Sequence, residues 1–244
     1  MGSTRLPGKV LRPLAGKPLL SHVIARVCTA SSLSGVVLAT SQKPEDDAVA
    51  ELARSLGVAV YRGSESDVLD RYYCAAREAQ ADTIVRVTGD CPMHQGAVID
   101  QIVAHFTESG ADYAAGPANI PEGFDTEVFS MRTLERAHRD AVLPSEREHV
   151  TLYFRNHPEL FALAPAWSTG GEDYSTLHLS VDTPEDFAFA EAVFAELGQD
   201  FGVSEVVALV ARRPDLRAIN AGNTGFEGLY KSLAEDEEFK KKAL

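Results

Sequence analysis

Short apolar runs alternating with amphipathic segments predict an α/β fold, a three-layer arrangement with helices on both faces of a mostly parallel central sheet. The chain length of 244 residues suits one such domain with its own core. Hydrophobic residues at 45% and charged residues at 24% are ordinary for a globular protein. Residues 1–220 read as a single domain, and 221–244 as a polar tail ending EDEEFKKKAL that forms a surface helix or frays.

Each element has its own signal. Leu19 to Ala30 has helical spacing, and Gly35 to Ala39 (GVVLA) is a buried strand. Glu45 to Leu56 is a helix followed by Gly57, a usual residue after a helix end. Val58 to Tyr61 is a short strand, Val68 to Glu78 a helix and Thr83 to Val87 (TIVRV) a strand. Ala97 to Ser109 is helical, Asp112 to Ala115 and Thr126 to Phe129 are strands, and Arg132 to Arg139 and Glu146 to Asn156 are helices. Leu177 to Val181 is a strand, and Pro184 to Leu197 and Val203 to Arg212 close the series as helices. There is no internal repeat and no long linker.

Charge narrows the function. A net charge of −13 argues against general binding of nucleic acid or anionic membranes. Cys28, Cys74 and Cys91 are few and scattered, with no Cys/His cluster for zinc, which suits a reducing cytoplasm. No apolar run reaches membrane-spanning length, and the first residues lack the apolar core of a signal peptide, so the expectation is a soluble cytoplasmic protein. Within this acidic chain, Met1 to Pro44 carries no acidic residue but does carry Arg5, Lys9, Arg12, Lys17, Arg26 and Lys43. Its opening stretch, GSTRLPGK, combines glycines that allow close backbone approach with cations that neutralise an anion, so it is either a phosphate seat or a solvated basic turn. It is not a P-loop, because Val10 follows Gly8-Lys9 where Ser or Thr would stand.

In sheets of this kind ligands bind beyond the carboxyl ends of the strands. TIVRV runs into Thr88-Gly89-Asp90-Cys91-Pro92, and LHLSV into Asp182-Thr183-Pro184-Glu185-Asp186. Asp90 is a turn residue before a proline or a ligand on the rim; Asp182 caps the following helix or faces the same crevice. Two rim carboxylates with a basic phosphate loop form the minimum kit for Mg²⁺-dependent nucleotidyl or phosphoryl transfer, because Mg²⁺ takes one or two carboxylates and completes its shell with water and substrate phosphates.

Six stretches in order, GSTRLPGKVLRPLAGKPLL, ATSQKPEDD, RGSESDVLDRYYCAA, VRVTGDCP, PSEREHVT and LSVDTPEDF, resemble the spore coat polysaccharide biosynthesis protein F-like cytidylyltransferases. These group with the 3-deoxy-manno-octulosonate and acylneuraminate cytidylyltransferases, and the resemblance runs from Met1 to about Val203. It implies a Rossmann-like nucleotidyltransferase fold akin to GT-A enzymes. The implied reaction joins CTP to an acidic sugar with Mg²⁺ in surface polysaccharide synthesis, releases pyrophosphate, and is carried out by a homodimer. It also implies roles for Gly2, Ser3, Thr4, Arg5 and Lys9 at the triphosphate, for Gly89 beside it, and for Asp90 and Asp182 on the metal. Arg62, Gly63 and Ser64 become candidates for cytosine or ribose contacts, or a polar turn after a strand. Asp125 and Glu127 of GFDTEVF, with Arg147 and His149 of SEREHVT, become candidates for the acceptor. Arg147 suits a bidentate carboxylate contact, and His149 can equally be a satisfied helix histidine. No nucleophilic side chain is required, since the acceptor hydroxyl itself attacks the α-phosphorus.

Two other classes stay open. A GT-A-like glycosyltransferase would carry a DxD-type motif where this chain reads Gly89-Asp90-Cys91, and a non-catalytic nucleotide-binding protein is the other. Members of the family begin with an apolar strand ending Gln-Ala-Arg just before the position of Met1, so either roughly ten further residues, an ordinary strand length, precede it, which is the expectation, or the sheet lacks a central strand and the triphosphate loop loses its support.

Overall fold

The computed structural model describes residues 3–124, 126–222 and 227–242. Gly2 and Asp125 lie outside them. The chain opens with a short hairpin, β1 (Pro13–Leu14) and β2 (Lys17–Pro18), then α1 (Leu19–Val27), β3 (Val37–Ser41), α2 (Asp47–Ser55), β4 (Ala59–Gly63) and α3 (Val68–Glu78). It continues with β5 (Thr83–Arg86), α4 (Gly96–Ser109), β6 (Tyr113–Ala115), β7 (Glu127–Ser130), α5 (Met131–Asp140), α6 (Pro144–Glu148) and α7 (Leu152–Asn156). The last helices are α8 (Pro184–Leu197), α9 (Val203–Arg212), α10 (Pro214–Ile219) and α11 (Glu227–Lys242).

The layered α/β class holds, with a more mixed pairing than the alternation of elements implies. β3 and β4 pair in parallel, Val37 opposite Ala59. β5, β7 and β6 form a second sheet in which β7 runs antiparallel to both neighbours, Ile84 opposite Phe129 and Ala114 opposite Val128. β7 follows no crossover helix but returns from the loop after β6, so it enters against the direction of its neighbours. β3 and β5 contribute Leu38 and Val85 to one core, yet among the described residues they belong to separate sheets.

Period-two alternation splits the three-stranded sheet between two cores. Val85 and Val128 face the larger core beneath α1, α4, α8 and α9, while Ile84 and Phe129 face a second one beneath α3, α5 and α7. The burial of Leu134, Phe129 and Phe154 fixes the second layer.

Two expected elements differ. The helix expected over Glu146–Asn156 is α6 and α7, broken at His149–Val150–Thr151. Val150 adopts φ 50°, unusual for a β-branched residue, and is fully buried in the second core. Leu177–Val181 is extended and buried but forms no ladder. It is held by isolated backbone bonds to loops, as when the Val181 N–H donates to the Asp90 carbonyl at 2.9 Å, and by a single bridge between His178 and Glu122. The described part of the polar tail contains α11, which packs on α6 through Ser145–Asp236 and Ser232–Glu148 hydrogen bonds. Cys28, Cys74 and Cys91 are all free thiols. Among the described residues no helix is long and apolar enough to cross a membrane.

Candidate active site

The basic loop is anchored at both ends by leucines. Leu6 and Leu14 are essentially fully buried, and the buried ring of His22 contacts the Leu14 carbonyl oxygen through Nε2 at 2.7 Å. The Leu6 N–H donates to Ser3 Oγ at 3.2 Å, so Ser3 closes the first turn of the loop, and Thr4 is exposed. Gly8 takes φ 68° in the left-handed region, which lets the chain turn directly into the short 3₁₀ helix Lys9–Leu11. Ala15 and Gly16, both at positive φ, make the two-residue turn between β1 and β2. The outcome is that Lys9 points inward, with only 11% of its side chain exposed.

Lys9 Nζ donates to Asp90 Oδ2 and to Asp182 Oδ1, each at 2.8 Å. Arg5 reaches the same Asp182 oxygen at 3.1 Å. Two carboxylates 92 positions apart in sequence therefore converge on one cation. Burial opposes the charge on Lys9, but Asp90 and Asp182 outweigh it and hold its pKa above the ordinary lysine value. Burial likewise opposes the charge on Asp90, and Lys9 with the Thr88 hydroxyl holds it below the usual carboxylate range. Asp182 does not cap α8. That task falls to Thr183, whose side chain accepts from the Asp186 N–H in a reciprocal capping box. Gly89 borders the site without being sterically required, since a Cβ there would meet Leu20 and Val10 at ordinary contact distances of 3.6 and 3.9 Å.

The remaining candidates are engaged elsewhere. The Arg62 guanidinium donates to the Ser41 and Lys43 carbonyls at 2.8 and 2.7 Å and pairs with Asp47, tying the ends of β3 and β4 together. Gly63 has no room for a Cβ, which would lie 2.9 Å from Tyr61 Cε1, and Ser64 Oγ accepts from the Asp67 N–H. Arg147 donates to Asp67 through Nε at 3.0 Å and to the His138 carbonyl at 2.8 Å, joining α6 to the start of α3. His149 Nε2 lies 3.0 Å from Ser232 Oγ on α11, and burial lowers its pKa. Glu127 pairs with Arg86 and accepts from the Tyr113 and Thr151 hydroxyls, each at 2.7 Å. Burial opposes the charge on Glu127, but Arg86 and these hydroxyls hold its pKa below the ordinary glutamate value.

Sequence reasoning passed over a second polar group beside the first. His178 Nδ1 is 2.5 Å from Glu122 Oε2, and its Nε2 is 3.6 Å from Asp186 Oδ1. A histidine inside the apolar run LHLSV was the available signal.

A basic loop and two rim acids meeting on one cation, at the edge of a layered α/β fold, define a nucleotidyltransferase. The comparisons with known proteins make this specific: residues 1–207 match the cytidylyltransferase family model, and the chain belongs to that family. It is 36% identical to the spore coat polysaccharide biosynthesis protein SpsF of Bacillus subtilis over 223 residues, covering 88% of this chain and 92% of that one. A solved cytidylyltransferase from Leptospira borgpetersenii superposes with a TM-score of 0.83 at 30% identity, over 92% of this chain and 94% of that one. A CMP:2-keto-3-deoxy-manno-octonic acid synthetase complexed with CTP shares the fold, with a TM-score of 0.59 at 17% identity over 80% and 95% of the two chains.

Proposed function

We propose that this cytidylyltransferase moves the CMP group of CTP onto an acidic sugar of the nonulosonic or octulosonic type, releasing pyrophosphate, in surface polysaccharide synthesis. The observation that carries the site assignment is Lys9 held between Asp90 and Asp182 at 2.8 Å from each. An ammonium group bound by both carboxylates supports reading them as a shared seat for a cation. Among the described residues no group of three or more His, Cys, Asp and Glu is placed to hold a metal. Two carboxylates alone fit Mg²⁺, which leaves most of its shell to water and phosphate oxygens. Asp90 and Asp182 would hold the Mg²⁺, whose chemistry is charge stabilisation at phosphoryl oxygens.

The chain's own residues supply the rest. Arg5 and Lys9 neutralise the triphosphate and the charge that builds on the departing pyrophosphate. The acceptor hydroxyl attacks the α-phosphorus as the bond to the bridging oxygen of the β-phosphate breaks, so no covalent enzyme intermediate forms. Arg62, Gly63 and Ser64 remain the proposed nucleoside side of the site, and Glu127, Arg147 and His149 the proposed acceptor side. The chain is read as a cytoplasmic homodimer, and the net charge of −13 supports the absence of nucleic-acid and anionic-membrane partners.

The test is pyrophosphate release from CTP with a panel of nonulosonic acids, octulosonic acids and neutral hexoses. Release with an acidic sugar is expected. Release only with neutral acceptors would overturn the acidic-sugar reading, and no release with any acceptor would overturn the proposed reaction.

A further inference from the structure

The strand-like run Leu177–Val181 delivers Asp182 to the site, and it is held by the loop Ile120–Phe124 on one side and by Asp90 on the other. The Glu122 N–H donates to the Leu177 carbonyl at 3.1 Å, and the Leu179 N–H to the Glu122 carbonyl at 3.0 Å. Gly123, at φ 100°, makes that approach possible: a Cβ there would lie 2.7 Å from backbone atoms of Leu179 and Ser180. On this clamp sits a set of polar contacts. Glu122 Oε1 accepts from Ser180 Oγ at 2.8 Å, while Glu122 Oε2 faces His178 Nδ1. His178 Nε2 lies 3.3 Å from Ser180 Oγ and 3.6 Å from Asp186 Oδ1, which also accepts from Asn220 Nδ2 at 3.0 Å. The other Asp186 oxygen accepts from the backbone N–H groups of Asp182 and Thr183 at 3.0 and 2.8 Å.

We infer that His178 is a positioning residue: an imidazolium between Glu122 and Asp186 fixes the carboxylate that grips the Asp182 backbone, and so sets where the Asp182 side chain stands. The inference rests on the reading of Asp182 as a metal ligand. Charge supports the geometry, since Asp186 and Glu122 outweigh burial and raise the His178 pKa to about 10. Two carboxylates meeting at His178 without its charge would repel each other, and Asp186 would loosen from the turn it organises. Groups that orient a metal ligand from behind typically change metal affinity by about 10–100-fold when removed.

The experiment measures CTP binding calorimetrically, with Mn²⁺ titrated as the probe ion and in parallel with chelator, for the unsubstituted protein, His178→Asn and Glu122→Gln. For His178→Asn, the Mn²⁺ concentration giving half-maximal enhancement of CTP binding should rise about tenfold, the low end of the range because the effect passes through Asp186. Binding in chelator should stay within twofold. Glu122→Gln, which keeps the His178–Asp186 pair, should move the same way by less, and it carries the test if His178→Asn fails to fold. Unchanged Mn²⁺ dependence in whichever variants fold, or equal weakening with and without metal, would overturn the positioning role and leave the proposed site intact. Mn²⁺-indifferent CTP binding by the unsubstituted protein would instead overturn the two-carboxylate site, and this inference with it.

Discussion

Lys9 is held at 2.8 Å from both Asp90 and Asp182, so each acid already meets a cation in the folded chain. Asp90→Asn and Asp182→Asn are each expected to keep the fold and lose turnover. A lost metal ligand removes several kcal/mol of transition-state stabilisation, and every 1.36 kcal/mol is about tenfold in rate. Turnover measured beside circular-dichroism melting checks this; near-native turnover in Asp182→Asn would show that its charge is dispensable. His178 gives a residue-scale expectation of the opposite kind, about stability. Its folded pKa of about 10 stands above the ordinary histidine value of 6.5, so the folded state binds the proton more tightly. The stabilisation is then fully present below about pH 6.5 and is lost as pH rises through about 10. The melting temperature should fall over that window, and His178→Asn should flatten the fall. An identical pH profile in the two proteins would show that His178 is not charged in the fold. Asp90 and Asp182 were legible in the sequence because each follows an apolar run, where a layered sheet puts its ligand rim. The partners of Arg147 and Glu127 were not legible: Asp67 lies 80 positions from Arg147, and Arg86 lies 41 from Glu127, each on a different element.

Among the elements, α6 and α11 depend on each other. Asp236 on α11 is buried and accepts from both the backbone N–H and the hydroxyl of Ser145, in the buried first turn of the five-residue α6. A helix that short has little stability of its own. Asp236→Ala leaves the Ser145 donors unsatisfied at a cost of about 1–3 kcal/mol, and in a chain of this size each kcal/mol is worth roughly 2–4 °C in melting temperature. A thermal melt checks it, and a shift below the error of the melt would mean that α11 does not support α6. Gly123→Ala should be more damaging, because its Cβ would stand 2.7 Å from backbone rather than from a side chain that can move. Element identity followed well from periodicity, as in α3, α8 and α9, whose spans match the apolar pattern residue for residue. The break between α6 and α7 did not, since helical spacing continues through it. What breaks the helix is the burial of Val150 in the second core and the hydrogen bond from Thr151 Oγ1 to Glu127, both supplied by other elements.

At the scale of the whole molecule, β3 and β5 contribute to one core while belonging, among the described residues, to separate sheets. Nucleotide preference is a property of this whole assembly. CTP is expected to raise the melting temperature more than ATP, GTP or UTP at equal concentration. At a hundred times its Kd it should contribute about 2.7 kcal/mol, or roughly 5–11 °C. Equal shifts from all four nucleotides would leave a phosphate site without base selectivity. The amino-acid sequence alone determined the α/β class, the identity of most helices and strands, the basic loop and the two rim acids, because each is written in local spacing or local composition. The tertiary structure alone decided that Lys9 joins Asp90 to Asp182, that β7 runs against its neighbours, and that His178 stands between Glu122 and Asp186. Those facts depend on which distant segments share a core, and local spacing carries no record of that.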